Sequence, residues 1–283
     1  MQLDVIFVQC QLNVASYEQI HGGDISQSFC LYTRDKKYFL KVNSAYAYPG
    51  IFVNEADGLK CLSNRCDLKI PGVVGCGAIG EHQYLVLEWL RAVKPPADFW
   101  RTFAVGLASL HKETNGHFGW KEDNYIGALP QTNTQSTNWA NFYGEYRLKP
   151  LALQLKTAGV FQLKDLQSLE QVCQRLHSIF PAEPPSLLHG DLWSGNFLAD
   201  ESGAAAIFDP AVYFGHREMD IGMTKLFGGF DAEFYEAYQE HFPLEKGWEQ
   251  RIPLTQLYPI LVHAVLFGAQ YILKSREIIK QFS

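Results

Sequence analysis

Between His189 and Pro210 the chain spaces two acids and an amide as phosphoryl transfer requires. The run is His189-Gly190-Asp191-Leu192-Trp193-Ser194-Gly195-Asn196, followed by the apolar stretch Ala204 to Phe208 and then Asp209-Pro210. Moving a γ-phosphoryl group onto a hydroxyl needs one carboxylate to orient the acceptor proton, while a second carboxylate and an amide oxygen hold Mg²⁺ on the phosphates. Asp191, Asp209 and Asn196 supply these in that order. The step from Asp191 to Asn196 matches the loop H-R-D-L-x-x-x-N, and Asp209 closes a short strand-like run, where a metal-binding Asp belongs. Taken singly, Asp191 and Asn196 also read as turn residues helped by Gly190 and Gly195, and Asp209-Pro210 as the start of another turn.

The rest of the chain carries further parts in kinase order. Tyr38-Phe39-Leu40-Lys41-Val42 is a β-like run holding a lysine, upstream of Glu55 in a segment whose apolar Ala56, Leu59 and Leu62 have helical spacing. A strand lysine paired with a helix glutamate positions the α- and β-phosphates in kinases. Before it, Gly22-Gly23 with Ser26 lies between two strand-like runs and can cover nucleotide phosphates, glycine letting backbone N–H groups approach closely and Ser26 adding a donor. A hairpin turn on Gly-Gly explains the same residues. Tyr84 to Leu90 is an apolar strand followed by Pro95-Pro96. The backbone of Glu88, Trp89 and Leu90 is placed where a kinase hinge would meet the adenine edge; a buried strand with a linker is the plainer account.

Together these motifs resemble the fructosamine/ketosamine-3-kinase family, a branch of the protein-kinase-like superfamily that includes aminoglycoside and choline phosphotransferases. The resemblance spans nearly the whole chain. It rests on Gly22 to Ser26, Phe39 to Asn43, Asn54 to Leu59, His117-Phe118-Gly119-Trp120, Gly127 to Asn133, Trp139 to Tyr143 with Arg147-Leu148, the loop HGDLWSGN, Phe208 to Ala211, Phe214 to Glu218 and Phe227 to Phe230. It implies an α+β, protein-kinase-like fold of two lobes: a small antiparallel sheet with one main helix over residues 1–88 for nucleotide, and a larger, mostly helical lobe over 89–283 for the catalytic loop and acceptor. It implies ATP and Mg²⁺, and phosphorylation of the sugar O3 of ketosamines, free or on protein lysines, whose product sheds the sugar.

Composition agrees with an enzyme of two lobes. The 283 residues suffice for substantial cores, since single cores stop growing near about 250–300 residues. A net charge of −6 with no clustered basic face argues against nucleic acid. Six cysteines without a C-x-x-C pair fit packed or free thiols of a reducing compartment. The N-terminus has an early acid and no basic run before its apolar residues, so a secretory signal is not expected. Tyr258 to Leu273, interrupted by His263 and Gln270, reads as a core helix short of a membrane span. A cytoplasmic enzyme is the expectation.

Periodicity divides the chain. Strand-like runs at Phe29–Tyr32, Tyr38–Val42, Val73–Ile79 and Tyr84–Leu87 flank the Glu55 helix, and the remainder is helical, with Leu166, Leu169, Val172, Cys173, Leu176, Ile179 and Phe180 at three- and four-residue steps before Pro181. His111 on such a face reads as a hydrogen-bonded core histidine. For the acceptor, Trp193 beside Asp191 can stack on a sugar face while Asp123, Asn124, Gln131 or Asn133 bonds its hydroxyls. The stripe Trp139, Phe142, Tyr143 and Tyr146 reads more readily as helix core than as pocket. Asp220 reads as a brace accepting backbone bonds from the catalytic loop. The glycine loop lacks a third glycine, and Asp209-Pro210 lacks the phenylalanine switch of protein kinases. A small-molecule kinase of another acceptor class, or a nucleotide-binding scaffold without activity, are the alternatives; oligomeric state and preferred ketosamine are not written in the sequence.

Overall fold

The computed structural model describes residues 3–20 and 25–283; Gly22 and Gly23 of the expected phosphate loop lie outside the described residues. The chain forms two compact units, one of Met1–Phe103 with Asn196–Pro210, the other of Ala104–Gly195 with Ala211–Ser283. Packing therefore cuts the chain after Phe103 rather than after residue 88, and returns the segment bearing Asn196 and Asp209 to the first unit. The reason is backbone pairing. Lys69 donates its N–H to Ala205 O at 3.0 Å and accepts from Ile207 N at 3.0 Å, and Val93 N donates to Ala199 O at 2.9 Å.

The first unit opens with α1 (Asp4–Gln9), β1 (Val14–Ile20), β2 (Gln27–Thr33), β3 (Lys37–Ser44), α2 (Ile51–Ser63), β4 (Val73–Ile79) and β5 (His82–Glu88). The strands form one antiparallel sheet in the order β1-β2-β3-β5-β4. Side chains alternate faces along a strand, so Leu40 and Val42 join Phe29, Leu31 and Val86 in a core that α1 caps with Ile6 and Phe7. Lys41, between them, faces the other way. Gly50, in a left-handed conformation (φ 73°), precedes α2, whose buried Phe52, Ala56, Leu59 and Leu62 form the helical stripe expected from the sequence.

A helix α3 (Phe99–His111) leads into the second unit. There follow β6 (Asn124–Ile126), β7 (Leu129–Gln131), α4 (Trp139–Tyr143), a π-helical turn (Gly144–Leu148), α5 (Lys149–Thr157), α6 (Leu163–Ile179) and β8 (Ser186–Leu188). The chain then makes β9 (Phe197–Ala199) and β10 (Ala205–Ile207) in the first unit, and β11 (Tyr213–Gly215), α7 (Glu218–Leu226), α8 (Ala232–His241), α9 (Trp248–Phe267) and α10 (Ala269–Phe282) in the second. Trp139, Phe142 and Tyr143 sit in one core with Leu169, Leu176 and Leu257, and Tyr146 packs against it; the aromatic stripe is core. The single helix expected over Tyr258 to Leu273 is corrected to two. Gly268 adopts φ 66° and Ala269 φ 42°, which an α-helix cannot contain, so the chain turns there. Among the described residues no helix is long and apolar enough to cross a membrane.

Candidate active site

In the first unit, Lys41 Nζ donates to Glu55 Oε1 at 2.8 Å and to Asp209 Oδ1 at 2.5 Å. The strand lysine and helix glutamate expected to meet do so. Burial works against the lysine's charge, yet the Asp209 and Glu55 carboxylates hold its pKa above the ordinary lysine value. Burial pushes the Glu55 carboxyl up to about 7, opposed by Lys41 and assisted by the charge of Asp209. One ammonium thus serves two carboxylates, which leaves a surplus of negative charge. Asp209 adopts φ 57°, a left-handed conformation that Asp tolerates better than most residues. Its side chain is 41% exposed.

Asn196 stands at the head of the β9–β10 hairpin, its backbone carbonyl accepting from Phe208 N at 3.1 Å, so the two expected metal-binding residues are fixed at the hairpin's ends. Among the described residues no three His, Cys, Asp or Glu side chains converge as a metal cluster. A carboxylate and an amide oxygen beside surplus negative charge fit Mg²⁺, a hard cation that keeps waters and phosphate oxygens for its remaining positions.

The second unit holds the loop with Asp191. β8 pairs antiparallel with β11, and the chain leaves β8 at His189. Asp220 Oδ2 accepts from His189 N at 2.8 Å and its Oδ1 from Gly190 N at 2.9 Å. The expected brace is there. His111, fully buried, places Nε2 3.2 Å from Asp220 Oδ2 and Nδ1 2.7 Å from the Tyr238 hydroxyl. Although burial works the other way, the hydrogen bond and charge of His111 hold the Asp220 carboxyl below the usual carboxylate range. Gly190 is obligatory on two counts: φ is +83°, and a Cβ there would come within 2.1 Å of Ala211 O. Asp191 N–H donates to His189 Nδ1 at 3.2 Å. Trp193 is half-buried, its indole laid so close to Gly195 that a Cβ at 195 would meet it at 2.4 Å.

Three acceptor-side expectations are corrected. Asn124, Gln131 and Asn133 are buried and already bonded inside the protein. Asn124 Oδ1 accepts from Gln131 Nε2 and Asn133 Nδ2, each at 2.8 Å, while Asn124 Nδ2 donates to Val212 O at 2.8 Å. Gln131 Oε1 accepts from the Tyr258 hydroxyl at 2.9 Å, and Asn133 Oδ1 from Arg147 Nη2 at 2.7 Å. Amides so committed do not hold sugar hydroxyls. Asp123 is exposed, with Oδ1 accepting from Asn133 N at 2.7 Å.

Near the adenine-side segment, the Glu88 carboxylate pairs with Lys69 at 2.8 Å and accepts from Gly72 N at 3.1 Å, and its own N–H donates to Gly72 O at 2.8 Å. Despite burial, Lys69 holds the Glu88 carboxyl below its ordinary value. The Glu88 N–H is thereby committed inside the protein. The Trp89 ring lies 6.4 Å from Phe39. Ser26 Oγ accepts from Asn43 Nδ2 at 3.2 Å. Sequence reasoning missed Asn43, Lys69 and Arg147 as partners of these groups; only the quoted runs containing Asn43 and Arg147 hinted at them.

Comparison with known proteins bears on the family and the fold. Residues 7–283 match the model of the family described as fructosamine kinase. A protein named "Probable ketoamine kinase" from Synechocystis sp. is 40% identical over 264 residues, covering 93% of this chain and 88% of that one. Another of that name from Enterococcus faecium is 39% identical over the full length of both. The crystal structure of a candidate fructosamine-3-kinase from Thermobifida fusca superposes with a TM-score of 0.89 at 32% identity, covering 99% of this chain and 97% of that one. Aminoglycoside phosphotransferase APH(4)-Ia, at 17% identity and a TM-score of 0.65, shares the kinase-like fold. With a family match over almost its whole length, this chain belongs to the fructosamine kinase family.

Proposed function

We propose that the chain transfers the γ-phosphoryl group of ATP to the sugar O3 of a ketosamine. The observation that carries the reading is the Lys41 ammonium held between Glu55 and Asp209 in a chain of this family. Lys41, fixed by Glu55, contacts the α- and β-phosphates, with Ser26 donating above them and the Trp89 and Leu90 backbone at the adenine edge. Asn196 and Asp209 would hold Mg²⁺, which when bound neutralises charge on the phosphates. Asp191 accepts the O3 proton as the bond from O3 to the γ-phosphorus forms and the bond from that phosphorus to the bridging oxygen breaks, releasing ADP. Trp193 offers a ring fixed against Gly195 to the sugar's apolar face, and Asp123 is the exposed acid of the acceptor segment.

Enolisation of the O3-phosphorylated ketosamine expels inorganic phosphate, and water then cleaves the remaining sugar–nitrogen bond to free the amine, so the reaction amounts to deglycation of small or protein-bound ketosamines. We place it in the cytoplasm, in keeping with six free cysteines. The test is mass spectrometry with ATP, Mg²⁺ and a ribose or glucose adduct of lysine. A phosphate should appear on the adduct and, on standing, leave as inorganic phosphate ahead of the sugar; kanamycin and choline should stay unmodified. Phosphorylation of choline or an aminoglycoside with no reaction on any ketosamine would move the chain to another acceptor class.

A further inference from the structure

Arg147 is fully buried, and among the described residues no carboxylate pairs with it. Its guanidinium lies over Phe142, Tyr213 and Tyr258, with 4.5, 4.4 and 5.4 Å to the ring centroids. It donates to Thr132 O, to Tyr146 O at 3.1 Å and to Asn133 Oδ1 at 2.7 Å, while Nε has no partner. Leaving a cation in an apolar interior is expensive unless its surroundings are fixed to receive it. The π-helical turn Gly144–Leu148 that carries it is a helix form met mostly where function tolerates the distortion. A merely structural position here would be filled at lower cost by an apolar side chain.

What the arginine holds in order is a relay of neutral amides that ends on the catalytic loop. Arg147 orients Asn133, Asn133 and Gln131 both bond Asn124 Oδ1, and Tyr258 fixes the other end of Gln131. The relay delivers two donors to backbone: Gln131 Nε2 to Ala211 O at 3.2 Å and Asn124 Nδ2 to Val212 O at 2.8 Å. Ala211 in turn donates its N–H to His189 O at 2.9 Å, and its carbonyl is the atom against which Gly190 sits without room for a Cβ. Asp220 grips His189 and Gly190 through their N–H groups; the relay grips them through Ala211. We infer that Gln131 and Arg147 are positioning residues for phosphoryl transfer, acting through Ala211 on Gly190 and so on the placement of Asp191.

The inference rests on Asp191 being the base and does not involve contact with substrate. Displacing a reacting group by about 1 Å can cost on the order of 10²-fold in rate, so the relay should appear in kcat and not in binding. The experiment is steady-state kinetics on a lysine ribulosamine with ATP for Gln131→Met, Gln131→Glu, Arg147→Met and Tyr258→Phe, with rates expressed per molecule competent to bind ADP. Gln131→Glu keeps the acceptor for Tyr258 and loses both donations. Expected is a kcat about 10- to 100-fold lower for the Gln131 and Arg147 variants and a smaller loss for Tyr258→Phe, with KM for ATP and ketosamine each within about threefold of the parent. A KM for ketosamine raised tenfold at unchanged kcat would return Gln131 to substrate contact. A lowered melting temperature with unchanged kcat per ADP-binding molecule would make the relay structural only. Should Arg147→Met or the Gln131 variants not fold, Tyr258→Phe, which removes one hydroxyl, decides: parental kcat overturns the inference. Asp191→Asn run beside them separates the two readings, since normal turnover there would remove the base and leave the relay nothing to position.

Discussion

The charged cluster around Lys41 and the amide relay around Arg147 each bury a cation, and they treat it in opposite ways. Lys41 faces two carboxylates and is outnumbered; one of those, Glu55, is pushed up to about 7. Arg147 faces rings, carbonyls and an amide oxygen, all neutral. A site with unbalanced charge gains by taking a cation or exchanging a partner, whereas a neutral network with its amides committed gains nothing from a ligand and serves best as scaffold. On the proposed function, that contrast separates residues that meet the nucleotide from residues that hold the loop.

The largest effect is expected at the base. Asp191→Asn keeps the shape of the loop but removes the proton acceptor, so turnover should fall by about 10²–10⁴-fold while ADP affinity, measured calorimetrically, stays put. Near-normal turnover would break the assignment of chemistry to this loop. Next, Lys41→Met leaves Glu55 and Asp209 facing each other without the ammonium. Breaking a buried pair from one side costs about 3–5 kcal/mol, which urea unfolding would register; adding Glu55→Leu should restore part of it, and a purely additive double variant would deny the coupling.

Two buried groups, one in the Lys41 cluster and one outside both regions, should answer pH with opposite sign. His216 is buried between Trp139 and Phe180, and burial pushes its imidazole down to about 4. Above pH 6.5 neither folded nor unfolded chain protonates it; below, the unfolded chain takes up a proton that the folded one refuses. Its stabilisation is therefore present above pH 6.5 and lost as pH falls through 4, about 3 kcal/mol in all. His216→Phe should flatten that acid limb in denaturation curves, and an unchanged limb would mean the ring is protonated in the fold. Glu55, raised instead, contributes stability that is present below its unfolded pKa and lost as pH rises through about 7, so Glu55→Gln should flatten the other side. The smallest effect is expected at Lys149, which joins Glu145 and Glu170 on the surface. Lys149→Ala should change stability by less than about 1 kcal/mol, and a larger loss would show that surface pairs count here as much as buried ones.

Motifs whose chemistry is set by spacing were legible from the chain alone. The Lys41–Glu55 pair, the strand runs and the core place of His111 follow from local periodicity and from what phosphoryl transfer demands, and the Asp220 brace from the resemblance to kinase-like folds. The amides were misread because Asn and Gln have the same letters whether they face a sugar or a carbonyl; only tertiary packing against Val212, Ala211 and Tyr258 decides. Arg147 was invisible for the same reason, since nothing in Tyr146-Arg147-Leu148 states that three rings will surround it. The break at Gly268 was passed over because apolar residues continue on both sides of it.

The ion pair between residues 41 and 209 spans 168 positions of chain, and it has a consequence for biosynthesis. At about 5–20 residues per second, a ribosome needs roughly 10 to 30 s to deliver Asp209 after Lys41 has emerged. During that interval the N-terminal sheet has Lys41 and Glu55 but not the second carboxylate, and the backbone of Lys69 lacks the strand that completes it. The nascent chain thus waits with an unfinished charge cluster and with the Lys69 backbone groups unpaired by Ala205 and Ile207.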